Sequence, residues 1–114
     1  MHTVNVGRDF TPIPSGGTKL YEGDFSGQSF RERFLEEPLR RGESVFVEID
    51  NTIGYSSLFL EEVFGGLIRS LRIGPAQLRQ QLHIVTENTI DLEEINFHID
   101  CAAKVVANAT VAAQ

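Results

Sequence analysis

The chain has 114 residues, 41% hydrophobic and 23% charged, which fits one ordinary domain able to bury a core without metal or disulfide help. Its net charge of −6 argues against nucleic acid, whose binding needs clustered Lys and Arg, and its single cysteine, Cys101, excludes an intramolecular disulfide. No apolar run approaches the roughly 20 residues that span a bilayer, and the N-terminus lacks a secretory pattern, so a cytoplasmic protein without membrane contact is expected.

The first element is a strand, with Val4 and Val6 alternating on one side of "HTVNV". "TPIPSGG" turns the chain with two prolines and two glycines, and "TKLYEG" follows as a second strand. Residues 1–23 are therefore expected to form an N-terminal β-hairpin. A helix comes next in "SGQSFRERFLEEPLRRG". Ser29 and Glu32 stand at capping-box spacing, and Phe30, Phe34 and Leu35 share one face. Pro38, with no amide to donate, is expected to end or kink the helix near Glu37, and Gly42 closes the unit.

In "SVFVEID" Val45, Val47 and Ile49 alternate with Phe46, Glu48 and Asp50, the clearest strand of the chain. The polar connection "DNTIGY" leads into a second helix, which runs from the paired serines Ser56 and Ser57 to about Arg72, where "IGP" stops it. "QLHIVT" reads as a short central strand. A last helix is expected to begin near Asp91, at capping-box spacing from Glu94. Leu92, Ile95, Ile99, Ala102 and Val106 form its buried stripe, and residues 109–114 are expected to fray. Strands alternating with helices imply βαβ crossovers. The expected fold is a single α/β domain whose body spans residues 24–108, with a mainly parallel or mixed central sheet and about three helices.

A strand ending in an acidic residue, a short loop, paired serines and an apolar helix resemble the STAS domain of anti-sigma-factor antagonists. The chain more closely resembles a bacterial STAS-like family of unknown function, at "DFSGQSFRERFL", "VFVEID" and "GYSSLFLEEVFGGLIR". The resemblance spans roughly residues 4 to 100 and implies one STAS-like domain over 1–114. In antagonist STAS domains the first serine of the helix-start motif is phosphorylated by an ATP-binding partner kinase. Aligning the apolar helix positions places that serine on Ser57; a one-residue slip places it on Ser56. The usual motif has Asp before this serine and a second serine after it, where this chain has Ser56 and Leu58.

Elementary physics agrees with a switch at this position. A serine at the N-cap holds a free amide, and the positive helix end accommodates phosphate. A phosphoserine brings a charge of about −1.5 to −2, enough to block a neutral docking surface, and Glu61 and Glu62 oppose it. Further along, Glu61, Gly65 and Arg69 line up at four-residue spacing, as do Glu62, Gly66 and Ser70. The glycines thus sit on or beside a polar face. Two readings stand: a shallow partner-docking patch made with Tyr55, Glu61, Glu62 and Arg69, or close internal packing.

Enzyme chemistry finds weak support. A hydrolase triad would draw on Ser57, His83 or His98, and Asp50, but "GYSSL" is not the G-x-S-x-G elbow. His98 and Cys101 stand three apart, yet two ligands make no zinc site, and both are expected to be ordinary buried or flanking residues. There is no G-x-G-x-x-G and no Walker loop, so no cofactor is expected. The reading is a non-enzymatic regulatory protein-binding module of bacterial signalling. By the resemblance its partner is a histidine-kinase-like ATP-binding protein. The alternatives are a structural subunit that homodimerises through the same helix or the Ala-rich tail, and, more distantly, a small serine hydrolase.

Overall fold

The computed structural model describes residues 2–19 and 23–112. Three short strands, β1 (His2–Asn5), β2 (Val45–Glu48) and β3 (Leu82–Val85), form a parallel sheet in the order β1-β2-β3. Register pairs Val4 with Val47 and Val47 with Ile84. Among the described residues five helices pack with it. They are α1 (Val6–Asp9), α2 over residues 27–40, α3 over residues 57–71, α4 (Pro75–Gln81) and α5 (Thr89–Ala112).

The alternation read from "SVFVEID" is the alternation observed: Val45, Val47 and Ile49 are buried, whereas Phe46 and Glu48 are half-buried. Consecutive parallel strands joined by right-handed crossovers put their helices on one face of the sheet. Val4, Val45 and Val47 accordingly join one core with Phe30, Leu35, Leu60, Phe64, Leu67, Ile95 and Ile99. The opposite face carries Thr3, Asn5, Phe46, Glu48, His83 and Val85, all half-buried or exposed. There His83 stacks on Phe46 with ring centroids 4.6 Å apart.

Several local expectations are corrected. The second strand of the expected hairpin, residues 18–23, lies in part (20–22) outside the described residues; of the rest, Thr18 is irregular, Lys19 helical and Gly23 begins a 3-10 turn, while β1 itself pairs in parallel with β2. Ser26, not Ser29, caps α2, its side chain accepting the Ser29 amide at 3.1 Å. Among the described residues β3 is an edge strand rather than a central one, and Val85 is 46% exposed. The segment after "IGP" forms α4, which Pro75 opens at a position where a missing amide costs nothing. α5 begins at Thr89, two residues before Asp91, because the Asn88 side chain accepts the Asp91 amide. Its backbone stays helical through Ala112, beyond the expected fraying point.

Pro38 does not end α2. The helix widens into a π-turn at Arg31–Leu35, in which the Glu36 amide reaches the Arg31 carbonyl, and then continues through Glu36–Arg40. A π-turn loosens the hydrogen-bond ladder just where the proline ring would crowd it. α3 holds a second π-turn, Glu61–Gly65, packed against the first and against α5. Among the described residues no helix is long and apolar enough to cross a membrane.

Candidate functional site at the carboxyl ends of the strands

In open parallel sheets, ligands and partners gather beyond the carboxyl ends of the strands. Here that edge is built around Asp50, two residues past the end of β2 and next to the buried Ile49. Its carboxylate accepts the Thr86 hydroxyl and the Glu87 amide, the latter at 2.8 Å, and so ties the end of β2 to the end of β3. Asp50 borders two clefts. One, of about 420 Å³, is lined by Thr52, Ile53, Glu87, Asn88 and Asp91; the other, of about 410 Å³, by Asn5, Glu48, Asn51 and Val85. The edge is acidic. Burial first, then Glu94 and Asp50, push the Asp91 carboxyl above its ordinary range.

The connection from β2 to α3 is clamped by residues 12–15. The Ile53 amide donates to the Pro12 carbonyl at 3.0 Å, and the Ser56 amide to the Pro14 carbonyl at 3.2 Å. The Ser56 hydroxyl donates to the Ser15 carbonyl, while its oxygen accepts the Phe59 amide at 3.1 Å. Ser56 is thus the N-cap of α3, engaged as donor and acceptor at once. The carbonyls of Gly16 and Gly17 accept the amides of Gly27 and Gln28 at the start of α2. The "SGG" turn therefore offers acceptors to helix starts, the reverse of a phosphate cradle. Tyr55 anchors the loop from inside by donating its hydroxyl to the Ile49 carbonyl at 2.8 Å, and burial pushes its phenol up.

Ser57 differs from its neighbour. It is the first helical residue, exposed, and its hydroxyl addresses the Glu94 carboxylate of α5. His98 meets the same carboxylate through Nε2 at 3.1 Å. The Ser57 hydroxyl, against partial burial, and then His98 hold the Glu94 carboxyl below its usual value. Glu94 was not legible as the partner of Ser57, because nothing in the spacing of α5 says which of its faces meets the start of α3.

The two glycines are covered by side chains of this chain. A β-carbon on Gly66 would lie 1.9 Å from Nη1 of Arg31, and one on Gly65 2.3 Å from a carboxylate oxygen of Glu61. Glu61 pairs with Arg69 through two hydrogen bonds, of 2.9 and 2.8 Å, closing over Gly65. Arg31 is buried at 8% exposure, holds Glu36 at 2.7 Å and Glu62 at 2.9 Å, and donates to the Glu62 carbonyl at 2.5 Å. In an unbroken α-helix that carbonyl would take the Gly66 amide, which the π-turn diverts to Glu61 and Val63. Of the two readings of the glycines, the internal one describes Gly66 within this chain. Tyr55, Glu61, Glu62 and Arg69 are all engaged in contacts within the chain.

The residues considered for catalysis are not brought together as a triad. Asp50 serves Thr86 and Glu87, His83 stacks on Phe46, and Glu94 lies between Ser57 and His98, where a triad would need the imidazole beside the serine. Cys101 is exposed rather than buried, because it lies on the face of α5 opposite Ile95 and Ile99. Among the described residues no group of three or more His, Cys, Asp and Glu is placed to hold a metal ion.

Comparison with known proteins agrees with this architecture. The family profile described as STAS-like domain of unknown function (DUF4325) matches residues 26–96, from the cap of α2 through the first third of α5. No match was found among curated proteins or among solved structures. The matched segment holds the paired serines, both π-turns and the glycines, and the chain belongs to this STAS-like domain family of unknown function.

Proposed function

We propose that this domain is a non-enzymatic regulatory module that docks a protein partner at the start of α3, with an ATP-binding, kinase-like protein as that partner and Ser57 as the switch. The observation that carries the reading is the division of labour between the two serines. Ser56 is consumed by capping and by the Ser15 carbonyl, whereas Ser57 is exposed at a helix start. A partner reaching this end of α3 meets Ser57 next to the exposed Leu58, with Ile53 exposed in the preceding loop, 70% and 78% exposed. A phosphate on Ser57 would stand against Glu94 on an already acidic edge, and would weaken docking of any neutral or acidic surface.

The test is affinity capture from the native host with wild type, Ser57→Ala and Ser57→Asp as baits. Ser57→Ala should retain the ATP-binding partner and melt close to wild type, whereas Ser57→Asp, whose carboxylate faces Glu94, should lose the partner while staying folded with a somewhat lower melt. Equal capture by the two variants would reject Ser57 as a switch; capture of no ATP-binding protein by any bait would reject the partner.

A further inference from the structure

We infer that the outward face of α5 is a self-docking seam, on which a second copy of this chain lays its own α5 antiparallel. The helix has two apolar faces. The inner one, with Ile95, Ile99 and Ala102, is buried in the core. The outer one exposes Ile90 at 74%, Phe97 at 61% and Val105 at 64%, with Cys101 exposed between the last two. At 3.6 residues per turn these four side chains fall within about 80° of one another, one line along the helix.

The sequence along that face says what covers it. Residues 90, 94, 97, 101, 104 and 108 follow it in alternating steps of four and three, the spacing of a two-helix seam, with the polar Glu94, Lys104 and Asn108 between its apolar members and Val105 on its flank. Reversed about its midpoint, the seam sets Phe97 against Cys101, Glu94 against Lys104 and Ile90 against Asn108 of the second copy. Opposite charges meet, twice by symmetry, as a two-fold interface requires. A parallel arrangement would instead set Glu94 against Glu94 and Lys104 against Lys104.

The wider charge pattern points the same way. Asp91, Glu93 and Glu94 crowd the first half of α5, and Lys104, its one lysine or arginine, lies in the second. A foreign basic helix would match only the first half. An antiparallel copy matches both. Glu94 keeps a role within its own chain through Ser57 and His98, but a carboxylate has lone pairs enough for a further donor. One helix per partner makes a small interface, so the dimer is expected to dissociate in the micromolar range. This inference does not depend on the docking proposed above, since it involves no second kind of protein.

Sedimentation equilibrium of the purified chain alone tests it, over concentrations from about 10 µM to about 1 mM. Wild type should follow a monomer–dimer equilibrium. Phe97→Asp should be monomeric throughout with an unchanged circular dichroism spectrum, since the position is exposed. Lys104→Glu and Glu94→Lys should each raise the dissociation constant about fivefold or more, two like-charged contacts replacing two opposite ones. Their combination in one chain should bring it back toward wild type. Lys104→Glu, at an exposed position, decides the matter alone if Glu94→Lys disturbs α3. A wild type monomeric at every concentration, a dimer that survives Phe97→Asp, or a Lys104→Glu chain that dimerises as wild type overturns the seam.

Discussion

The guanidinium of Arg31 occupies the space that a side chain on Gly66 would fill, with Nη1 1.9 Å from the position of a β-carbon there. The glycine in α3 and the arginine in α2 are one arrangement. Removing the side chain at position 66 lets Arg31 reach the Glu62 carbonyl that the π-turn leaves to it.

Gly66→Ala should therefore destabilise the domain by about 1–3 kcal/mol, although alanine favours a helix by about 1 kcal/mol over glycine. Arg31→Ala should cost about 3–5 kcal/mol, because Glu36 and Glu62 lose their shared cation at low exposure. In the Arg31→Ala background the alanine at position 66 should cost little or stabilise. Urea unfolding of the four proteins measures that coupling, and strict additivity would refute it.

The two serines should separate in the same assay. Ser56→Ala removes the cap of α3 and the bond to Ser15, and should cost about 1–2 kcal/mol. Ser57→Ala removes neither, and should stay within about 0.5 kcal/mol of wild type. Thermal melts showing the larger loss at Ser57 would reverse the assignment.

Acid should act oppositely on two carboxyls of α5. Glu94 is held below its ordinary value, first by Ser57, so its ionised form favours the fold; that stability is complete above the ordinary range and is lost as pH falls through the lowered value. Glu94→Gln should thus lower the urea midpoint at neutral pH and leave it unchanged in acid. Asp91 is raised, chiefly by burial, so its protonated form favours the fold and its ionisation opposes folding as pH rises through the raised value. Asp91→Asn should raise the midpoint at neutral pH, and that gain should vanish in acid.

The end of α3 offers a stabilising change. Arg72 takes a left-handed conformation, φ 58 and ψ 37, while its amide bonds the Ile68 carbonyl. Glycine adopts that conformation without the steric penalty of a β-carbon. Arg72→Gly should raise stability by about 0.5–1 kcal/mol in a thermal melt, despite the added freedom of the unfolded chain.

Periodicity reports which side of an element is buried, and it did so faithfully here. The period of two put Val45, Val47 and Ile49 inside, and helical spacing put Ile95, Ile99 and Ala102 on the core, each at 4% exposure or less, with Leu92 and Val106 half-buried at the ends of the same stripe. The family motif around the paired serines was legible for the same reason, as a local pattern of residues along one strand, loop and helix. Which serine caps α3 was not, because Ser56 and Ser57 are chemically alike and the choice depends on carbonyls delivered by residues 14 and 15, some forty positions away. The filling of Gly66 by Arg31, the passage of α2 through Pro38 by a π-turn, and the place of β3 at the edge of the sheet were likewise decided by the tertiary structure. Each depends on contacts between distant segments. Periodicity says that a face will be covered, and only the closed chain determines by what.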